Sequence, residues 1–161
     1  AWFTAAAPDS ARLTRVAQST DCDRAMRAGA LLGLGDAGGV VCIDAAWSDC
    51  ADALAAMGAA HVVTLDAWVD SVAEPVSMIV IGEKLPFARN ALRAVGVGAT
   101  SKADTLVQTA AVSLRAGGRL VAPADARVPD DVTELARDDA VWVGERGGVT
   151  SSPIPLRSSR R

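Results

Sequence analysis

Short, wholly apolar runs alternate along this chain with segments whose apolar residues recur at helical spacing. Val40–Ile43 reads as a strand covered on both faces, His61–Leu65 as a second buried strand and Ser77–Ile81 as a third apolar one, and Arg119–Ala122 and Ala140–Val143 read as further strands. Between them, Ser48 or Asp49 caps a helix from about Cys50 to Met57, which Gly58 terminates. A second helix, Ala103–Leu114, ends at Ala116-Gly117-Gly118. Thr20-Asp21 opens another, through Met26 to about Leu32, and the glycines of Gly33–Gly39 stop it. Further helices are expected after Pro8-Asp9-Ser10 (with Leu13, Val16 and Ala17), over Phe87–Val95, and from Pro129-Asp130 through Ala136. Ala67–Ala73 reads as a short helix or turn. Beyond Gly147-Gly148, an extended segment near Ser152–Leu156 carries two prolines, which suit an edge position.

Strands and helices alternating at this spacing predict an α/β fold. The expected form is a three-layer, Rossmann-like sandwich with a mostly parallel sheet and an antiparallel edge strand. A helical segment, residues 1–39, is expected to pack on the domain formed by residues 40–157, and residues 158–161 form a basic tail. Half of the 161 residues are hydrophobic and only 4% are aromatic, so the core must rest on Val, Leu, Ile and Ala. Trp47, Trp68 and Trp142 are its scarce bulky pieces.

A formal net charge of -3 carries none of the basic surplus of a general nucleic-acid binder, and no segment has the length and apolarity of a membrane span. Cys22, Cys42 and Cys50 fit no paired-ligand spacing, which points to a reducing, cytoplasmic setting and to no metal site. Cys50 falls where a helix begins, a place that can lower a thiol's pKa. The single histidine, His61, starts a strand.

The central stretch resembles the cofactor-binding half of class I S-adenosylmethionine (SAM) methyltransferases. Val40–Ile43 corresponds to the first strand, Asp44–Asp49 to the cofactor loop, Cys50–Met57 to the following helix, and His61–Leu65 to the second strand. Met78–Ile81 resembles the fourth strand, and Leu114-Arg115-Ala116-Gly117-Gly118-Arg119-Leu120-Val121 resembles the family's helix, double-glycine turn and fifth strand. The same Gly-Gly-Arg-Leu-Val turn also occurs in zinc-type alcohol dehydrogenases. The resemblance implies that Asp66 binds ribose, with Asp44 and Trp47 beside the cofactor, wherever SAM or another nucleotide binds. Asp66 equally reads as an ordinary strand-end turn residue. Glu83, in Gly82-Glu83-Lys84, stands at the expected substrate side as the candidate catalytic residue, or else as a salt-bridging loop residue. Trp68 and Phe87 are candidates to line the same crevice, and Lys84, Arg89 and Arg93 to form a basic face beside it.

One departure from the family's pattern changes the expected function. The loop should be glycine-rich, because the cofactor approaches bare backbone there. This chain has Asp44-Ala45-Ala46-Trp47-Ser48-Asp49 instead. The expectation is a methyltransferase-like domain that binds or assembles without catalysis, with a protein partner or a second copy and no assigned cofactor, SAM being the candidate. The alternatives are an active, divergent SAM-dependent methyltransferase and another nucleotide-binding Rossmann protein. Gly33-Leu34-Gly35-Asp36-Ala37-Gly38 matches G-x-G-x-x-G but precedes a strand rather than a helix, so it reads as a connector.

Overall fold

The computed structural model describes residues 14–36, 38–58, 61–71 and 74–148. In chain order the elements are β1 (Thr14–Val16), α1 (Cys22–Leu31), β2 (Val40–Ile43), α2 (Ala51–Ala56), β3 (His61–Leu65), β4 (Ala67–Val69) and β5 (Val76–Ile79), then β6 (Leu92–Gly96), α3 (Ala103–Ser113), β7 (Leu114–Pro123), β8 (Val132–Arg137) and β9 (Val141–Arg146). A 3-10 turn, Ser48–Cys50, leads into α2.

Seven strands form one sheet in the order β5-β3-β2-β6-β7-β9-β8, and β1 and β4 form a separate parallel pair. The pairs from β5 to β7 are parallel; β9 runs antiparallel to both β7 and β8. The expected α/β sandwich with an antiparallel margin is therefore present. Strand alternation divides the core between the two faces. Cys42 of β2 packs in the cluster with Leu106 and Val107 of α3, whereas Val41 and Ile43 pack with Leu32 and with Leu54 of α2. α1 begins where the sequence places it, since Asp21 accepts hydrogen bonds from the amides of Asp23 and Arg24.

Four local expectations are corrected. Phe87–Val95 contains no helix; Leu92–Gly96 is β6, fully buried at the middle of the sheet, where parallel pairing on both sides overrides the helical spacing. Pro129–Ala136 is likewise not a helix, because Val132–Arg137 pairs with β9. Ala67–Val69 is a strand rather than a helix or turn, and Val16 lies in the strand beside it. Met78 falls in β5, two strands from β2 at the sheet edge, so β6 takes the place assigned to Met78–Ile81. The segments proposed around Pro8–Ser10 and Ser152–Leu156 lie outside the described residues.

The G-x-G-x-x-G stretch wraps a buried cation. Arg93 of β6 is 5% exposed, and its guanidinium donates to the carbonyls of Gly33 (3.0 Å), Gly38 (2.7 Å) and Asp36. Gly39 has φ +93°, and a Cβ there would lie 2.9 Å from Arg93 Cβ. These contacts precede β2, at the rim opposite the strands' carboxyl ends. Arg93 therefore leaves the basic face proposed with Lys84 and Arg89, both of which are exposed.

Candidate functional site

In an open parallel sheet, ligands gather at the carboxyl ends of strands where the strand order reverses. Here that point lies between β2 and β6. The β2 chain turns through Asp44–Asp49, and the β6 chain continues as Val97-Gly98-Ala99.

Asp44 joins the two strand ends. It is 4% exposed, and its carboxylate accepts the amides of Ala46 (3.0 Å) and Gly98 (2.5 Å). Burial raises its carboxyl pKa, while the amides of Gly98, Ala46 and Trp47 oppose that rise. Ala46 packs so closely on Gly98 that a Cβ at position 98 would stand 2.3 Å from Ala46 Cβ. The glycine absent from the β2 loop thus reappears on the opposing strand, where it admits the loop rather than a ligand.

The loop is tied down from outside. Arg24 of α1 donates from Nε and Nη2 to Asp49 (2.6 and 3.0 Å) and from Nη2 to the Ala46 carbonyl (2.8 Å). Gln18 donates to the Ser48 carbonyl and accepts from the Asp52 amide, each at 2.9 Å. Trp47 is half-buried, its ring lying over Gly96. Cys50 is buried, and desolvation, then the neighbouring Asp49, push its thiol up to about 11. The lowering that a helix start can give does not prevail, because α2 is short and the thiol faces protein rather than water.

Asp66 fulfils the turn role. It adopts φ +51°, its Oδ1 accepts the Ile81 amide at 2.8 Å, and its own amide donates to Ile79. Its second oxygen has no donor among the described residues. Asp44, Ala45, Asp66, Ile81 and Ser101 help line a cleft of about 190 Å³. Usual small-molecule sites occupy roughly 300–1,000 Å³.

The structure brings Asp44 and Asp66 to this cleft, places Trp47 on the other side of the loop, and leaves Glu83 outside it. Glu83 is exposed in the turn after β5; it does not line the cleft and forms no ion pair among the described residues. Trp68 is 48% exposed and points its ring nitrogen at Asp70, while Phe87 packs against the core under α3. Arg24 and Gly98 escape the sequence reading. For Gly98, the signal was Gly96-Val97-Gly98 directly after an apolar run, hidden by reading that run as a helix. No group of His, Cys, Asp and Glu among the described residues could hold a metal ion, and no described helix is long and apolar enough to cross a membrane.

No protein-family profile and no curated protein sequence matches this chain. Solved structures do. Escherichia coli yhhF, provisionally assigned as a methyltransferase, is 14% identical over 84% of this chain and 91% of that one, with a TM-score of 0.54. Streptococcus mutans SMU.1697c, also provisionally assigned and solved with S-adenosylhomocysteine (SAH), is 15% identical over 74% of this chain and 95% of that one, with a TM-score of 0.50. Geranyl diphosphate C-methyltransferase from Streptomyces coelicolor A3(2) is 18% identical over 60% of this chain, with a TM-score of 0.45. This chain spans 42% of that protein's length. The fold is that of the class I SAM-dependent methyltransferases.

Proposed function

We propose that this chain is a non-catalytic methyltransferase-fold module, used for binding or assembly. The observation that carries the reading is the contact of Asp44 and Ala46 with Gly98. It seats the β2 loop on the end of β6, where the family's glycine loop would lie against the methyl donor. A donor entering there would have to displace a buried carboxylate from two amides and open the clamp of Arg24 on Asp49.

An assembly role is supported at the sheet edge. Among the described residues β5 has a partner strand on one side only, Met78 and Val80 are each 38% exposed, and the Val69 amide of β4 donates to Met78 Sδ at 3.3 Å. Open apolar edges invite pairing with another chain. The expected partner is a second copy or another subunit, read by light scattering across a concentration series. A Met78→Lys variant should lower the apparent mass wherever the wild type exceeds one chain.

The active alternative is favoured by one observation, the unoccupied second oxygen of Asp66 beside the small cleft. A thermal-shift series separates the two. The module reading expects the same melting temperature with and without millimolar SAM. A rise that disappears in Asp66→Ala would establish the divergent methyltransferase instead.

A further inference from the structure

The loop that fills the donor space creates a second pocket. It holds about 180 Å³, and its lining includes Ala46, Trp47, Pro123, Ala140 and Val141, with Arg24 among the wall residues. It shares no lining residue with the Asp66 cleft. The pocket opens to solvent, and its volume is on the order of that of an enclosed apolar cavity of about 150 Å³ that accepts one benzene molecule, the size of a single ring. The half-buried Trp47 indole supplies an aromatic surface, and aromatic pairs favour offset or edge contact.

Arg24 is the one charged residue among the described residues lining the pocket. All three protein bonds of the Arg24 guanidinium leave from Nε or Nη2. Its Nη1 has no acceptor among the described residues, and the Asp49 bridge already holds the group in place. The same bridge balances its charge. An incoming carboxylate would stand beside Asp49 without a free cation to offset it, whereas a neutral acceptor meets a charged donor at no such cost.

We propose that this pocket binds a small molecule with one neutral aromatic ring carrying a hydrogen-bond acceptor. The ring lies among Trp47, Pro123 and Val141, and the acceptor takes Arg24 Nη1–H. The proposal rests on the closed loop of the module reading, since Ala46, Trp47 and Gly98 all line the pocket.

The test is a set of ¹H–¹⁵N NMR titrations of the full chain with benzamide, toluene and benzoate. Benzamide should shift the amides of Ala46, Trp47 and Ala99 saturably, and bind roughly tenfold more tightly than toluene, the margin of one charge-assisted hydrogen bond. Benzoate should bind more weakly than benzamide. Arg24→Lys keeps a cation beside Asp49 but removes Nη1, and should abolish the margin of benzamide over toluene. Ala140→Leu fills the pocket from an exposed position and should abolish both. Absent or unsaturable shifts, shifts centred elsewhere, or benzoate binding more tightly than benzamide would each overturn the proposal. A parallel SAH titration tells this failure from that of the module reading.

Discussion

Replacing Gly98 by alanine tests the packing that closes the β2 loop. The new methyl would stand 2.3 Å from Ala46 Cβ and 3.2 Å from both Asp44 carboxylate oxygens. Ordinary contact begins near 3.4 Å, so the loop and the strand end must separate by about an ångström. Forcing an extra methyl into a packed site costs about 1–3 kcal/mol. Stretching the buried Gly98–Asp44 hydrogen bond adds about 1 kcal/mol or more. A loss of about 2–4 kcal/mol is expected, or roughly 4–16 °C in melting temperature for a domain of this size. Ala46→Gly alone should cost only about 0.4–1 kcal/mol, through the unfolded chain. Together the two changes should recover much of the loss, because the clashing methyl is gone. Urea denaturation of the four proteins in this cycle gives a coupling energy. The reasoning fails if Gly98→Ala melts like the wild type, or if the two effects add within about 0.5 kcal/mol.

Other consequences follow from the same contacts. Arg93→Met should destabilise by about 2–4 kcal/mol, since it leaves the carbonyls of Gly33, Asp36 and Gly38 without their donor; a midpoint within error of the wild type would refute the pin. In the native protein a thiol reagent at pH 8 should modify Cys22 alone, against three cysteines after denaturation, because Cys42 and Cys50 are buried and burial holds both thiols protonated. Asp44 sets a pH dependence of known sign. Its native carboxyl holds a proton more tightly than the unfolded one, so its contribution to stability is full below the ordinary value of 3.8 and is lost as pH rises through the raised native value. The stability of the wild type relative to Asp44→Asn should therefore fall as pH rises above that ordinary value; a flat or rising difference would contradict the burial argument.

The fold was legible where local signals and tertiary environment agree. Val40–Ile43 and His61–Leu65 are wholly apolar or nearly so, and they became adjacent parallel strands buried on both faces. The cap at Asp21 and the length of α3 could be read from residue type and spacing alone. Legibility failed where distant pairing decides. Leu92–Val95 contains an arginine, and nothing in the local pattern says that three loop carbonyls will solvate it in mid-sheet. Val132–Arg137 exposes five of its six residues, so its strand character comes from β9 rather than from its own periodicity. These misreadings propagated to the site. With the fourth strand taken as Met78–Ile81, the strand-end position falls on Glu83 rather than on Gly98. The loop itself was read from its composition, but its closure on Gly98 depends on a residue 54 positions away from Asp44, which no local rule connects.

Calorimetric titration of SAH into the wild-type chain tests most directly whether protein fills the donor's place. With Asp44 and Ala46 seated on Gly98, the titration should give no saturable heat at millimolar ligand. A one-to-one isotherm in the micromolar range would show that the crevice still admits the adenosyl group and would contradict the account.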